Sequence, residues 1–240
     1  MTHLDTLLKQ ATDPASYDAP DTEWVIENGK DSSRQDIYRE YFSPYRPDWL
    51  GKDVLDVGSG AGWLLNFFMQ NGARSVQGIE SSRKNVKASS VLYPNVSVIC
   101  ADFMTTKFDS QFDFITVVMV LTNIFDLEVV FRKLRSLMRD EAKLVVIVPD
   151  YEYFKTPRHG YELDIAEINS QEYVIETTRP NSVLTDIVRK NDVYVVVAKA
   201  SGLELIDSIP MIPTEAFSSQ LVQYSEFRDQ PIMHLLRFTK

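Results

Sequence analysis

A regular alternation of strand-like and helix-like segments between Asp53 and Asp150 constrains the fold of this chain more than any other feature. Apolar runs typical of strands lie at 53–57, 75–80, 95–102, 112–120 and 142–150. Segments with the apolar spacing of helices separate them, at 63–70, 82–92 and 126–138. Several strand-like runs lack polar alternation, as expected when helices cover both faces of a parallel sheet. The pattern therefore predicts right-handed βαβ units and a doubly wound α/β domain.

The segments before and after this alternation predict the domain organisation. Residues 1–48 show helical spacing and are interpreted as a lid segment that precedes a domain over 49–240. Residues 151–190 break the rhythm and are rich in Tyr, His, Arg and Glu. We interpret them as a small cap insertion above the sheet, after its fifth strand.

Shorter signals lie inside and after this insertion. The runs 171–178 and 182–188 flank Arg179-Pro180-Asn181 and predict an antiparallel hairpin. Residues 192–202 end in a glycine, as a helix does, although their valine run suits a strand equally well. Two last strands are expected within 203–212 and 232–239.

Composition excludes several classes of protein. A chain of 240 residues with 44% hydrophobic residues can bury the core of one large domain. No stretch approaches the roughly 20 apolar residues of a membrane-spanning helix, and no secretory signal is recognised, so we expect a cytoplasmic protein without a membrane partner. The formal net charge of −9 repels phosphate backbones, which argues against a nucleic-acid partner. Three scattered histidines and a single cysteine predict no metal site, and Cys100 is expected to be a buried core thiol.

The most informative local motif is V-L-D-V-G-S-G-A-G over 54–62, at the predicted junction of the first strand and the first helix. In open α/β folds ligands bind at this edge of the sheet, and glycines allow the backbone to approach them closely. The dinucleotide pattern G-x-G-x-x-G would require glycine at position 63, where the chain has Trp63. Asp56 would repel a pyrophosphate but suits a ligand that carries positive charge.

Two further acids end the next two predicted strands. Glu80 lies 24 residues after Asp56, where a carboxylate can accept hydrogen bonds from both hydroxyls of a ribose. Asp102 ends the third strand, where it can accept a hydrogen bond from an adenine amine while the ring of Phe103 packs on the base. Three acids at successive strand ends of one sheet edge predict a site for a cationic adenosine derivative.

Taken in order, these motifs resemble those of class I S-adenosylmethionine-dependent methyltransferases, especially the small-molecule type. The matching segments are D-V-G-S-G-A-G at 56–62, G-I-E at 78–80, A-D-F at 101–103, F-D-F-I-T-V-V-M-V-L at 112–121 and A-S-G-L-E-L-I-D at 200–207. The resemblance extends from Trp24 to Phe238. It implies a seven-stranded, mostly parallel sheet in the order 3-2-1-4-5-7-6 with the last strand antiparallel, and S-adenosylmethionine as the cofactor.

The resemblance implies contacts to the methionine part of the cofactor. Gly58 and Gly60 would line that part, with Ser59 between them and Asp56 at the start of the motif. Arg34 resembles the family's carboxylate-binding arginine, and a solvated helix charge is the alternative for this residue.

It also implies contacts to the rest of the cofactor. Glu80 would bind the ribose, and Ser81 stands where the family often covers the adenine with an apolar residue. Asp102 and Phe103 would contact the adenine. The backbone around Met119 would lie beneath the methionine and the methyl group.

The cap insertion is the expected place for the methyl acceptor. Tyr151 and Tyr153, just after the fifth predicted strand, are the predicted acceptor-binding residues. His159, in the sequence R-H-G-Y, is the predicted general base if the acceptor is a hydroxyl, and an exposed loop histidine otherwise. Tyr17 and Trp24 either form an N-terminal lid or pack on the domain.

The function expected from the sequence is O- or N-methylation of a small-molecule acceptor. Leu121-Thr122-Asn123-Ile124 replaces the Asn/Asp-Pro-Pro-Tyr segment that would indicate methylation of a nucleic-acid base. A catalytically silent binding partner of the same fold is the alternative. A nicotinamide-dependent oxidoreductase is disfavoured by Trp63 and Asp56.

Overall fold

Ten strands and ten α-helices occur in the computed structural model, which describes residues 1–13, 15, 22–179, 182–220, 224, 227 and 229–240. The strands are β1 (Asp53–Val57), β2 (Ser75–Glu80), β3 (Ser97–Cys100), β4 (Phe112–Val118), β5 (Met138–Pro149), β6 (Glu162–Asn169), β7 (Glu172–Arg179), β8 (Ser182–Arg189), β9 (Glu204–Met211) and β10 (Met233–Thr239). The helices are α1 (His3–Ala11), α2 (Thr22–Gly29), α3 (Asp36–Phe42), α4 (Arg46–Trp49), α5 (Trp63–Gln70), α6 (Arg83–Leu92), α7 (Leu127–Leu137), α8 (Tyr151–Lys155), α9 (Asn191–Ala200) and α10 (Glu215–Gln220).

The main sheet has seven strands in the order β3-β2-β1-β4-β5-β10-β9. The first five strands pair in parallel, and β10 is antiparallel to both β5 and β9. Because β6 to β8 belong to a separate sheet, β9 and β10 are the sixth and seventh strands of the main one. The predicted order 3-2-1-4-5-7-6 and the antiparallel last strand are therefore confirmed.

Local capping explains where the helices between these strands begin. The side chain of Ser82 accepts a hydrogen bond from the amide of Asn85 at the start of α6, and Asp126 accepts one from Val129 at the start of α7. α7 buries an apolar stripe against the sheet, including the fully buried Phe131. The predicted helices at 63–70, 82–92 and 126–138 are thus found, with their N-caps included in the last two.

The position of Cys100 corrects one expectation. We predicted a buried core thiol, but Cys100 is exposed at the end of β3. β3 is the edge strand of the sheet and pairs only with β2, so its apolar sequence does not guarantee burial on both faces.

The insertion at 151–190 forms α8 and a second, three-stranded sheet, which we call the cap sheet. Its order is β6-β7-β8, antiparallel throughout, so the hairpin predicted around 171–188 is confirmed. The turn residues 180 and 181 lie outside the described residues. β6 was not predicted, although acidic and apolar residues largely alternate in its sequence, ELDIAEIN, as is typical of a strand with one exposed face.

The N-terminal segment contributes α1 to α3 and the start of α4. α1 packs on the cap sheet, where Leu7 and Ala11 contact Val174 and Ile187. Tyr17 and the side chain of Trp24, the two suggested lid residues, lie outside the described residues.

The ambiguous segment after the cap sheet is a helix, α9, and it ends near Gly202, which has φ +82°. Over the described ranges, the structure contains no helix with the length and apolar character needed to cross a membrane.

Candidate active site

A cavity of about 610 Å³ opens at the carboxyl ends of the parallel strands. One wall is built from the ends of β1, β2 and β3, and the residues that follow β4 build another. The first wall contains Gly58, Gly60, Glu80, Ser81, Asp102 and Phe103. The predicted cofactor residues from three strand ends therefore meet on one surface, together with Met119.

The glycine loop after β1 is held close to β2. The amide of Gly58 donates to the carbonyl of Ile79 at 2.8 Å, and the amide of Ser59 donates to the same oxygen at 3.2 Å. Gly58 has φ +70°, and a Cβ at this position would overlap Cγ2 of Val120. Only glycine therefore allows the loop to lie against the segment after β4 at this point.

Ser59 points away from the cavity. Its hydroxyl is buried without a hydrogen-bond partner among the described residues, and it lies close to Gly78 of β2. Its direct contact with a cofactor, implied by the resemblance, stays a prediction.

Two backbone amides hold the carboxylate of Glu80. Its Oε2 accepts a hydrogen bond from the amide of Gly60 at 2.9 Å, and its Oε1 accepts one from the amide of Ser82 at 2.8 Å. Burial raises the pKa of Glu80, and these amides oppose the increase because they stabilise the charged form. The carboxylate is thus fixed at the cavity edge, with lone pairs left for a ligand.

Asp56 lies behind the glycine loop. It is 2% exposed, and its Oδ1 accepts a hydrogen bond from the hydroxyl of Thr116 at 2.6 Å. Burial raises the pKa of Asp56 to about 7, assisted by the negative charge of Glu80 and opposed by Thr116. Asp56 therefore supports the glycine loop from behind and places a titratable group beneath it. Asp56 does not line the cavity.

The adenine end of the predicted site is formed after β3. Asp102 is exposed at the cavity rim, and its Oδ1 accepts a hydrogen bond from the amide of Met104 at 2.7 Å. Phe103 is buried beside it. Lys133 of α7 lies 4.9 Å from the centroid of the Phe103 ring and donates to three backbone carbonyls of this segment, so it fixes the turn.

Met119 lies directly after β4 and has φ +56°, an unusual conformation for a residue with a side chain. Its amide donates to the carbonyl of Ile147 of β5 at 2.9 Å. This bond holds the strained turn at the base of the cavity.

Besides Asp56 and Ser59, four further predicted site residues do not lie at this cavity. Arg34 is exposed in a short 3₁₀ turn and donates to the side chain of Asn28. His159 is exposed in the turn between α8 and β6. Tyr151 packs on Tyr173 beneath the cap sheet, and Tyr153 packs edge-on against Phe227. The cap insertion covers the end of β5. Its first residues, Tyr151 and Tyr153, therefore pack inward, and the turn that contains His159 faces solvent.

Beyond the segment around Met119, the wall after β4 was not predicted from the sequence. Nδ2 of Asn123 donates to the carbonyls of Ala11 and Thr185, each at 3.3 Å, so this cavity residue connects α1 to the cap sheet. Phe125 is 63% exposed at the cavity mouth. The available signal was position: Asn123 and Phe125 directly follow the apolar run of β4, at the ligand-binding edge of the sheet.

Comparison with known proteins agrees with this architecture. The sequence profile of a methyltransferase domain matches residues 33–180, more than half of the chain. A relative from Papaver bracteatum, named a probable (S)-tetrahydroprotoberberine N-methyltransferase 2, is 30% identical over 118 residues, which are 47% of this chain and 32% of the relative. The match thus spans about a third of that relative's length.

Solved structures share the fold. An S-adenosylmethionine-dependent methyltransferase from Mesorhizobium loti superposes with a TM-score of 0.68 and 17% identity, covering 87% of this chain and all of that one. The glycopeptide N-methyltransferase MtfA, solved with S-adenosyl-L-homocysteine, gives a TM-score of 0.64 with 13% identity over 85% of this chain and 89% of that one. By its family profile and its fold, this chain belongs to the class I S-adenosylmethionine-dependent methyltransferases.

Proposed function

We propose that this protein transfers a methyl group from S-adenosylmethionine to a nitrogen of a small-molecule acceptor. The observation that carries the proposal is one continuous cavity with two different walls. The glycine loop and Glu80 form one wall, and Asn123, Phe125 and Asp126 form the other. A cofactor and an acceptor can therefore meet inside it.

The residues of the first wall fit this cofactor. Glu80 would bind the ribose hydroxyls, Asp102 and Phe103 would bind the adenine, and Gly58 and Gly60 would adjoin the methionine part. When bound, S-adenosylmethionine supplies a methyl group on a sulfonium, a good leaving group. The protein aligns the acceptor with that carbon and excludes water.

The charges of the cavity favour nitrogen over oxygen as the methylated atom. Among the described residues that line it, the charged ones are Glu80, Asp102 and Asp126, and none is a histidine, lysine or arginine. For the proton of a hydroxyl acceptor these described lining residues offer only carboxylates as bases, whereas a neutral amine already carries its lone pair and needs none. The acidic walls also attract the cationic form of an amine, whose surplus proton leaves to solvent.

The names of similar proteins support the same choice. The Papaver bracteatum relative and MtfA are both named N-methyltransferases, and MtfA is solved with the demethylated cofactor. The net charge of −9 and the acidic cavity also favour a neutral or cationic small molecule over a nucleic acid.

Calorimetry and labelled methyl transfer test the proposal. We expect S-adenosylmethionine to bind and NAD not to bind, and label to enter amines of a metabolite panel in preference to matched phenols. Tighter binding of NAD would overturn the cofactor assignment. Labelling of phenols but not of amines would overturn the choice of nitrogen.

Replacement of His159 tests whether this exposed residue, which does not line the cavity, acts as a base at all. If His159 serves a hydroxyl acceptor as its general base, His159→Ala lowers turnover by roughly 10²–10⁴-fold. With an amine acceptor we expect less than about a threefold change, because no base is required. The rate is measured against pH for both proteins with one acceptor, and S-adenosylmethionine affinity is the control for folding.

A further inference from the structure

A second group of polar side chains lies between the cap sheet, α8 and the segment that precedes β10. It comprises Arg158, Arg179, Tyr153, Tyr161 and Tyr224, and we call it the arginine–tyrosine cluster. The methyl-transfer chemistry derived above uses none of these residues. Three of them come from α8 or the turn after it, one ends β7, and one comes from the C-terminal segment.

The ring of Tyr161 connects the two guanidinium groups. Cζ of Arg158 and Cζ of Arg179 each lie 5.1 Å from its centroid, so the two cations are no more than twice that distance apart. Arg158 also lies 4.7 Å from the centroid of Tyr153, whose ring stacks at 6.5 Å on that of Tyr224. Aromatic faces attract each cation but do not neutralise the repulsion between them.

Both arginines retain unused hydrogen-bond donors. Nε of Arg158 and Nε of Arg179 are buried and have no acceptor within the ranges that the structure describes. No carboxylate of those ranges forms an ion pair with either guanidinium. A buried donor without a partner costs about 1–3 kcal/mol, so these two N–H groups gain stability from any ligand that supplies acceptors.

The cap sheet connects the cluster to the wall formed by Asn123, Phe125 and Asp126, which we call the acceptor wall, although no residue of the cluster lines the cavity. Asn123 lines the cavity and donates to the carbonyl of Thr185 on β8. The next residue, Asp186, pairs with Ile175, and Arg179 lies four residues further along the same strand, so Asp186 and Arg179 share one face of the cap sheet. Burial raises the pKa of Asp186, and the positive charge of Arg179 opposes this increase, as expected for neighbouring groups.

We propose that the arginine–tyrosine cluster binds a carboxylate of the methyl acceptor, which makes the substrate an amine that also carries an acid. This inference rests on the proposed function. Guanidinium groups bind planar carboxylates through paired N–H donors, and tyrosine hydroxyls can add a further donor.

The charge pattern matches such a molecule. Acidic groups line the cavity where the amine is methylated, and two cations lie beyond Asn123, on the cap side. An acceptor whose amine and carboxylate are separated by several bonds satisfies both ends, because Arg179 lies four residues along β7 from the partner of Asp186. A simple amine would leave the two Nε–H groups unsatisfied.

Binding of small probes tests the proposal without knowledge of the acceptor. Phenylacetate is titrated calorimetrically into the full-length protein, with and without S-adenosylhomocysteine, and phenylacetamide serves as its neutral counterpart. We expect the wild type to bind phenylacetate in preference to phenylacetamide. Arg158→Gln and Arg179→Gln should each weaken phenylacetate at least about tenfold, since a charge-assisted bond is lost in each case.

Two further variants separate the loss of the site from the loss of the fold. Arg179→Lys keeps the positive charge but lacks the planar guanidinium with its paired N–H donors. It should bind phenylacetate with intermediate affinity. Arg132→Gln removes an exposed arginine that pairs with Glu128 on α7, and it should leave binding unchanged. Undiminished S-adenosylhomocysteine affinity in each variant shows that the domain is folded.

Three results would overturn the inference. They are equal binding of phenylacetate and phenylacetamide, phenylacetate affinity unchanged by both glutamine variants, and a loss of S-adenosylhomocysteine affinity that matches the loss of phenylacetate. The last would assign the cluster to the cofactor's own carboxylate. If the wild type binds phenylacetate but not S-adenosylhomocysteine, the proposed function fails while the carboxylate site remains.

Discussion

Arg189 of β8 pairs with Glu172 of β7 inside the cap sheet, and the same guanidinium fastens this sheet to the cavity wall. Nε of Arg189 lies 2.7 Å from Oε1 of Glu172, and the arginine side chain is 2% exposed. The same guanidinium donates to the carbonyls of Leu121, Ile124 and Phe125 at 2.9, 3.0 and 3.3 Å. One residue of the cap sheet thus donates to three carbonyls of the loop that follows β4, and this loop forms the acceptor wall.

Removal of this guanidinium should destabilise the protein and disturb the acceptor wall. We expect Arg189→Gln to lower the free energy of unfolding by about 2–4 kcal/mol, because buried carbonyls and Glu172 lose their partner. Turnover should fall more than cofactor affinity, since the loop lies on the acceptor side. Urea denaturation and labelled methyl transfer measure the two effects.

The matched control is the exposed pair of Glu128 and Arg132 on α7. Arg132→Gln should change stability by less than about 0.5 kcal/mol, as is usual for exposed pairs one helical turn apart. Equal destabilisation by Arg189→Gln and Arg132→Gln would contradict a special role for Arg189.

Cofactor affinity should depend strongly on Glu80. Glu80→Gln keeps the shape of the side chain but removes its charge and one of the two acceptors now used by Gly60 and Ser82. We expect S-adenosylhomocysteine to bind about 10–150-fold more weakly, the equivalent of about 1.5–3 kcal/mol for hydrogen bonds to a charged group. Asp102→Asn, at the exposed rim, should have a smaller effect in the same calorimetric titration.

The opposite order of effects would contradict the assignment of the ribose contact to Glu80. If Asp102→Asn weakens binding more than Glu80→Gln, the polar contacts that matter lie at the adenine end. Unchanged affinity in both variants would contradict the cofactor site as a whole.

The sequence predicts well those parts of the site that depend on regular elements. β1 and β2 are found at the predicted residues, because the alternation of strand-like and helix-like segments marks each strand. Glu80 lies at the cavity as expected, because the carboxyl ends of parallel strands meet at one edge, whereas Asp56 is buried behind the glycine loop. Glycine at positions 58 and 60 itself indicates a turn with positive φ, because glycine adopts that conformation without steric cost.

Contacts made across the cap could not be predicted in this way. Arg189 has the sequence context of a solvated strand end, yet it is buried because β8 packs against the loop after β4. Arg158 and Arg179 are far apart in sequence, and only the docking of β7 beside α8 brings them to one ring. Cys100 shows the converse, since apolar neighbours did not bury a residue of an edge strand.

The overlap between Gly58 and Val120 predicts a specific coupling. Gly58→Ala should destabilise the protein by about 1–3 kcal/mol, through an unfavourable positive φ and a steric clash with Val120. Gly60→Ala shares the positive φ, at +53°, but its Cβ meets nothing within 4 Å, so it provides the strain without the clash. Thermal or urea unfolding of both variants separates the two contributions.

A double-mutant cycle isolates the clash. Val120→Ala removes the methyl group that a Cβ at position 58 would overlap, so Gly58→Ala should be less destabilising in that background. We expect a coupling of at least about 0.5 kcal/mol. Additive effects of the two substitutions would show that the loop moves away from Val120.

The buried carboxyl of Asp56 should make stability depend on pH. Its pKa is raised from 3.8 to about 7 by burial, so between these values the folded protein keeps a proton that the unfolded chain has released. The free energy of unfolding contributed by this group therefore falls as the pH rises from about 4 to about 7, and is constant above that range. Asp56→Asn removes the titration and can still accept the hydrogen bond from Thr116.

The measured quantity is the difference in unfolding free energy between the wild type and Asp56→Asn, obtained by urea denaturation at intervals from pH 4 to pH 8 without ligand. Other titrating groups are common to both proteins, so the difference isolates position 56 apart from its coupling to Glu80. We expect the wild type to lose stability relative to the variant as the pH rises, and the difference to level off above about pH 7. A difference that increases with pH would mean that Asp56 has a lowered pKa and is held as a carboxylate by a positive partner. A flat difference would mean that its pKa is the same in the folded and unfolded chains, which its burial behind the glycine loop argues against.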